Sequence, residues 1–459
     1  MATIKFYNSL TKKIEEFVPQ NSDNNVSIYT CGPTIYNTPH IGNYRAYIFA
    51  DILRRTLEAY NYNVNQVINL TDVDDKTIKK SIELNLPLIE FTKKFEQDFY
   101  EGRAELKLLP ATHYTRATDS IPKMIEIIEL LLEKGFAYIA EDNSVYFKVS
   151  QDKNYGQLVN IDPSKIKQNA SGRISRDEYT EDDIQDFALW KAWDTNDGSV
   201  KWPSPWGLGR PGWHIECSAM AREFIGGIID IHTGGIDNMF PHHENEIAQS
   251  ECAYGHQFSR FFMHNNHLMI DGKKMAKSDG NFLMLSDFTA KGINPLSYKY
   301  FLYGTHYRSP ANMTWDALNG AQTTLLRMYE KFILLMNIQT DTVNEEYLNK
   351  VKNALANDLN TAEAIAVFIE LFDDVKINDN DKLATILSLD NILGLGFNEY
   401  YKKDKSLPKD IIKTIKEREN ARSNKDYTKS DELRDLLTNQ NYLVIDTKES
   451  SIVVINPLK

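Results

Sequence analysis

Cys31 stands in the stretch TCGPTIYNTPHIGN, nine positions before His40, in a loop too rich in proline and glycine to be regular structure. Cys217 lies at the start of a helical stretch, GWHIECSAM, and in PHHENEIAQSECAYG the residues His242 and Glu246 are four apart. On a helix, residues four apart leave the same face about one turn from each other. Two thiolates, one imidazole and one carboxylate form a tetrahedral zinc set of ordinary chemistry, although no short CxxC pair announces it. Spacing does not choose the histidine, because His214, His232 and His243 compete with His242. The plainer reading of HxxxE alone is a helix start with acids set against the macrodipole, and the plainer reading of each thiol is a small buried apolar residue. Cys252, ten residues beyond His242 and nearly three turns along the same helix, reads as core.

A second group of residues suits phosphate. In HIGN, the residues His40, Gly42 and Asn43 open a helix whose backbone N–H groups and positive dipole end attract anions. Gly42 permits close backbone approach, and the His40 ring and Asn43 amide can donate hydrogen bonds. In GKKMAKSDGN, Lys274 and Lys277 are three apart, with Ser278 beside them and glycines flanking the loop. Such ammonium groups suit charge developing on a triphosphate during displacement. Taken singly, the first is an ordinary helix cap and the second a solvated turn.

The elements that must position these groups follow from apolar periodicity. VSIYT reads as a strand, NYRAYIFADILRRTLEAY as an amphipathic helix and VNQVINL as a second strand. Strand, helix and strand make the parallel crossover of a doubly wound sheet, whose ligands bind at the carboxyl ends of the strands. The carboxylates of TDVDDK, next in the chain, either bind ligand or cap the following helix. A helical then irregular polar stretch to about Trp202 reads as an insertion. IGGIIDIHTGG and FFMHNNHLMID supply further strands, the chain beyond about Thr305 turns helical, and NYLVIDT with SSIVVI suggests a terminal hairpin.

The bulk numbers fit this division. A chain of 459 residues, 42% hydrophobic and 25% charged, suggests about three globular domains. An odd count of three separated cysteines argues against a disulfide framework. The N-terminus lacks a signal-peptide core and no run spans a bilayer, so a cytoplasmic protein without membrane attachment is expected. The net charge of −12 argues against non-specific coating of nucleic acid. Between Lys402 and Asp435, however, eleven basic residues stand against eight acidic ones.

HIGN and KMAKS together resemble the two signature motifs of class I aminoacyl-tRNA synthetases, each one substitution from its usual form. With TCGPTIYNTPHIGN, NLTDVDDK, WPSPWGLGRPGWHIECSAM, DIHTGGIDNMFPHHENEIAQSE and KMAKSDGN, the chain resembles the cysteinyl-tRNA synthetase family, bacterial type, from end to end. The resemblance implies an α/β Rossmann-type catalytic domain with a parallel sheet (1–120 and 203–305) interrupted by a connective insertion (121–202). A helical bundle domain (306–400) and a small α+β C-terminal domain that reads the anticodon (401–459) follow. It implies attachment of L-cysteine to tRNA(Cys) through a cysteinyl adenylate, with ATP and Mg²⁺ as substrate and release of AMP and pyrophosphate. It selects Cys31, Cys217, His242 and Glu246 as ligands of one Zn²⁺ that meets the substrate thiol. Zinc deprotonates a thiol outright and favours soft sulfur over a hydroxyl, so serine is rejected without editing. His40, Asn43, Lys274 and Lys277 become the catalytic set, with Gly42 and Ser278 completing the ATP site. Gly32, Thr71, Trp213, His232 and Asp237 become the cysteine-binding residues. A monomer is the family's bacterial habit.

Two positions depart from the family pattern: Asn43 replaces the second histidine of the first motif, and Ala276 the serine of the second. The last tryptophan is Trp315, so the terminal tryptophan common in the family is absent. Two alternatives remain open. One is a ligase of the mycothiol pathway that passes cysteine from the same adenylate to an amino sugar; it lacks the anticodon domain, against which stands the stretch from about Ser406 to Lys459. The other is a non-catalytic zinc protein that binds RNA, which would have no need of His40, Lys274 and Lys277.

Overall fold

The computed structural model describes residues 3–21, 23–160, 186–275, 281–403, 406–447 and 450–458. The chain forms two compact units, the first comprising Met1–Met284, Thr305–Met313 and Lys352–Thr361.

The first unit is built on five parallel strands: β1 (Asn25–Thr30), β2 (Asn63–Leu70), β3 (His113–Arg116), β4 (Ile229–Gly235) and β5 (Ser259–Asn265). Their order across the sheet is β5-β4-β1-β2-β3, and every neighbouring pair is parallel. This is the expected Rossmann-type sheet. The strands are rich in β-branched residues and buried on both faces, as a sheet covered by helices on either side requires. The order in which strands are added reverses between the parallel neighbours β1 and β4, so the loops leaving them diverge and open a crevice at their carboxyl ends.

Three helices frame that crevice: α1 (Ile41–Ala59), α2 (Trp213–Phe224) and α3 (Glu244–Tyr254). α1 starts with a reciprocal cap in which the Asn43 N–H donates to His40 Nδ1 and the His40 N–H donates to Asn43 Oδ1. A kinked segment over Met239–His243, with extended backbone at Phe240, leads into α3. An antiparallel sheet of five strands, between Ala137 and Pro211, forms a second layer within the same unit.

The second unit is mainly helical. Its core gathers Tyr329 and Phe332 of the helix Trp315–Leu335 with Phe368 and Phe397, the Tyr329 and Phe397 rings stacked at 4.3 Å. Two helices, Lys409–Ser423 and Tyr427–Asn439, then pack together before the expected hairpin, Tyr442–Asp446 paired with Ser451–Ile455. Among the described residues, no helix is long and apolar enough to cross a membrane.

Candidate active site and metal centre

The loop leaving β1 carries Cys31, whose N–H donates to the Thr233 carbonyl on β4. Gly32 follows because nothing larger fits: a Cβ there would lie 1.7 Å from the Asn69 carbonyl oxygen, and the Gly32 N–H donates to Asn69 Oδ1 at 2.8 Å. Cys217 projects from α2. His242 and Glu246 straddle the start of α3, with His242 Nε2 and Glu246 Oε1 at 2.9 Å. Donor atoms of Cys31, Cys217, His242 and Glu246 all lie within 4.8 Å of one another, and all four residues are buried. Tetrahedral zinc with bonds of about 2.0–2.3 Å spaces its donors by about 3.3–3.8 Å, so modest contraction suffices.

A second set, Cys31, His232, His243 and Glu246, meets the same criterion. The competition among histidines expected from the sequence is therefore real in space. Three of them have distinct partners. His232, on β4, contacts Glu246 Oε2 at 2.7 Å. His243 lies 3.2 Å from Cys31 Sγ and 2.8 Å from His264, whose far nitrogen meets Ser9 Oγ at 2.8 Å. His214 meets His242 Nδ1 at 3.0 Å, while the Gln249 amide donates to the His214 carbonyl.

Charge in this cluster follows contact geometry. The hydrogen bond with Cys31 lowers the Cys217 thiol to about 6, against the opposing effect of burial. Burial raises Cys31, with the neighbouring Cys217 and Glu246 adding to it. Burial also works against charge on His242 and Glu246, but Glu246 and Cys217 hold His242 at about 10, and His232 and His242 hold Glu246 at about 2. Burial keeps His243 and His264 neutral, His264 at about 3. A soft divalent ion fits this donor set by taking the place of the His242 and Cys31 protons.

Cys31 and His242 form part of the floor of a cleft of about 480 Å³, whereas Cys217, Glu246, His232 and His243 lie behind it. Trp213, the first residue of α2, stacks on His242 at 4.3 Å and also lines the cleft, as do Gly32, Thr71 and Asp237. Asp237 is largely exposed and stands 3.3 Å from His267 Nδ1. His40, Gly42, Asn43 and Lys274 line the same cleft. Lys277, Ser278 and Ala276 lie outside the described residues.

The start of α1 is more occupied than a bare helix end. The Ile41 N–H donates to the Leu283 carbonyl, and the Phe282 ring packs edge-on against His40 at 4.7 Å. Of the carboxylates of TDVDDK, one adopts the capping alternative and two have structural partners. Asp74 caps the helix Asp75–Glu83, Asp72 accepts from Thr118, and Asp75 pairs with Lys191 and Arg210. None lines the cleft among its described residues. Cys252 stands outside both metal sets and packs against the core cluster. Asn69, Asn265 and Asn266 also line the cleft. Sequence reasoning missed them, although asparagine at strand ends, where an amide can meet ligand and backbone alike, was the available signal.

A family model described as the tRNA synthetases class I (C) catalytic domain matches residues 17–323. A cysteine–tRNA ligase of Brachyspira hyodysenteriae is 44% identical, covering 98% of this chain and 98% of its own. One of Protochlamydia amoebophila is 41% identical, covering 98% and 97%. Among solved structures, Mycobacterium tuberculosis methionyl-tRNA synthetase in complex with methionyl-adenylate aligns with a TM-score of 0.59 at 13% identity. It covers 82% of this chain and 92% of that one, a likeness of fold.

Proposed function

The chain belongs to the class I tRNA synthetases of the (C) type, and we propose that it activates L-cysteine with ATP and transfers it to tRNA(Cys). The observation that carries the reading is the juxtaposition in one cleft of a thiol-rich donor set, whose Cys31 and His242 reach the floor, and of the helix-capping His40 with Lys274. Zinc held by Cys31, Cys217, His242 and Glu246 supplies a soft Lewis acid that prefers a thiolate to a hydroxyl. A hydrophobic pocket would separate such similar substrates by only about 10–200-fold.

The remaining work falls to the chain's own groups. Because His40 Nδ1 accepts the Asn43 N–H, the ring proton resides on Nε2, where it can be donated to a phosphate oxygen. The Asn43 carboxamide oxygen is held by the His40 N–H, which reserves its Nδ2 for the same task. Asn43 thus supplies a neutral donor where the family usually has a second histidine. Lys274, with Lys277 and Ser278, meets the β- and γ-phosphates as the cysteine carboxylate attacks the α-phosphate and Mg²⁺-bound pyrophosphate leaves. The terminal ribose of tRNA then takes the acyl group from the adenylate. Positioning and charge stabilisation are the main sources of rate.

Gly32, Thr71, Trp213 and Asp237 hold the amino acid, with Asp237 facing its ammonium group. His232 acts from behind, orienting the Glu246 carboxylate through their 2.7 Å contact. The halves expected at 1–120 and 203–305 serve catalysis and 121–202 is the insertion, its antiparallel sheet running on to Pro211; 306–400 is mainly the bundle, and 401–459 contacts the anticodon.

The test is transfer of labelled cysteine to bulk tRNA with ATP and Mg²⁺, beside labelled serine. Charging with cysteine alone is expected. Cysteine-dependent pyrophosphate exchange without charging would move the assignment to a ligase with another acceptor.

A further inference from the structure

Arg45 lies on α1, one turn beyond the cap that holds His40, and is only 4% exposed. Its guanidinium donates to three main-chain carbonyls: that of His267, that of Ser309 at 2.5 Å and, more weakly, that of Tyr307 at 3.4 Å. Phe49, four residues on and on the same helix face, stacks on the Tyr307 ring at 4.6 Å. One face of α1 therefore grips two segments distant in sequence.

Those segments belong to the lysine-bearing element. The His267 carbonyl also accepts from the Ala311 N–H, and the Asn266 N–H donates to the Tyr307 carbonyl. The chain then forms a strand, Leu268–Ile270, that pairs in parallel with Ala311–Met313 and antiparallel with Lys273–Lys274. In that register Met269 faces Lys274. The path from the His40 cap to Lys274 thus runs through α1, the Arg45 fork, two short strands and their hydrogen bonds. Cys31, Cys217, His242 and Glu246 are carried by other elements.

We propose that Arg45 is a positioning residue that fixes the Lys274 hairpin against the helix bearing His40, setting ATP binding and turnover, and that it reaches the amino-acid side only through His267, whose ring stands 3.3 Å from Asp237. The inference rests on the reading of this cleft as an ATP site. Lysine would be a poor substitute, since one point charge replaces a planar fork that serves several carbonyls at once. A shift of about 1 Å between positioned groups can cost about 100-fold in rate. Uncoupling the hairpin should therefore be visible in ATP parameters first.

The experiment compares wild type with Arg45→Met and Arg45→Lys in the full chain. Calorimetry with a non-hydrolysable ATP analogue is run without amino acid, and pyrophosphate exchange gives KM for ATP and for cysteine with kcat. Bound zinc and amide exchange over 268–274 are measured on the same samples. The expected result for Arg45→Met is about a tenfold weaker analogue Kd and ATP KM, with kcat down about 10- to 100-fold. Cysteine KM and zinc content should stay within about twofold, and exchange over 268–274 should quicken. Arg45→Lys should fall between, and it carries the test if Arg45→Met does not fold. A lower kcat with unchanged ATP KM and analogue Kd would mean only a loss of folded enzyme and would overturn the proposal, as would parallel loss of cysteine affinity. If wild type bound the analogue but exchanged with another amino acid, the cysteine reading would fall while the calorimetric arm still judged Arg45.

Discussion

Replacing Gly32 by alanine should damage the site through the backbone alone. The added Cβ would sit 1.7 Å from the Asn69 carbonyl oxygen and 2.8 Å from its carbon, whereas real Cβ atoms essentially never approach within 3.0 Å. The two loops must part by about 1.3 Å, and neither obstructing atom belongs to a side chain that can rotate away. Parting them strains the Gly32 N–H bond to Asn69 Oδ1 and two main-chain bonds, Thr71 N–H to the Pro33 carbonyl and Ile35 N–H to the Thr71 carbonyl. At about 1 kcal/mol for each of these three hydrogen bonds and about 1–3 kcal/mol for overpacking, the cost is about 4–6 kcal/mol. The same displacement moves Cys31 from the floor of the cleft, so exchange should fall about 100-fold or more. Urea unfolding and cysteine-dependent pyrophosphate exchange are the assays. An alanine variant with the wild-type midpoint and rate would refute the claim that the β1 and β2 loops are locked at this contact.

Gly42→Ala provides the contrast, since its Cβ would meet the Met275 methyl at 2.9 Å and the His40 ring at 3.0 Å, both side-chain atoms. Stability should change by less than about 1 kcal/mol in urea, with a rise in ATP KM as the phosphate approach narrows. Cys217→Ser should lose bound metal, measured by elemental analysis of the purified protein, together with exchange activity; full zinc content would count against this donor set. Asp446 concerns the C-terminal hairpin. Burial there opposes charge, but hydrogen bonds from Arg418 and Ser451 and the charges of Arg418 and Arg422 hold its carboxyl at about 2. A depressed carboxylate stabilises above its unfolded value near 3.9 and ceases to do so as pH falls through about 2. The urea stability gap between wild type and Asp446→Asn should therefore be full at pH 7 and narrow below about pH 4; a gap independent of pH would exclude the ion pair as its source.

How far the sequence discloses this site depends on whether each feature is local. The strand–loop–helix around HIGN is local: β-branched residues, a Pro/Gly loop and apolar residues at helical spacing lie within one crossover, and the structure has β1, the Cys31 loop and α1 in that order. The terminal hairpin is legible for the same reason, from two short alternating runs. TDVDDK could be narrowed only to two uses, because capping and ligand binding ask for the same residue types. Its outcome turned on Thr118, Lys191 and Arg210, which arrive from far along the chain. Arg45 was illegible for a related reason. It reads as one polar residue on an amphipathic helix, and the carbonyls it serves belong to residues more than two hundred positions away.

The histidines show where sequence spacing stops and packing decides. His242 and His243 are adjacent, and each joins Cys31 and Glu246 in a four-donor set. Periodicity favours His242 only through its four-residue offset from Glu246, a weak preference so close to the kink at Phe240. Packing separates them more sharply. The His243 ring is fully buried and engaged on both sides, by Cys31 at 3.2 Å and by His264 at 2.8 Å, the latter backed by Ser9. The His242 ring, itself part of the floor of the cleft, stacks on Trp213, with His214 at Nδ1 and Glu246 and Cys217 around Nε2. An ion held through His242 would be open to a substrate in the cleft, whereas one held through His232 and His243 would be sealed behind it. Under the proposed function the centre must face the cleft to meet a substrate thiol, and of the two imidazoles only that of His242 lines it.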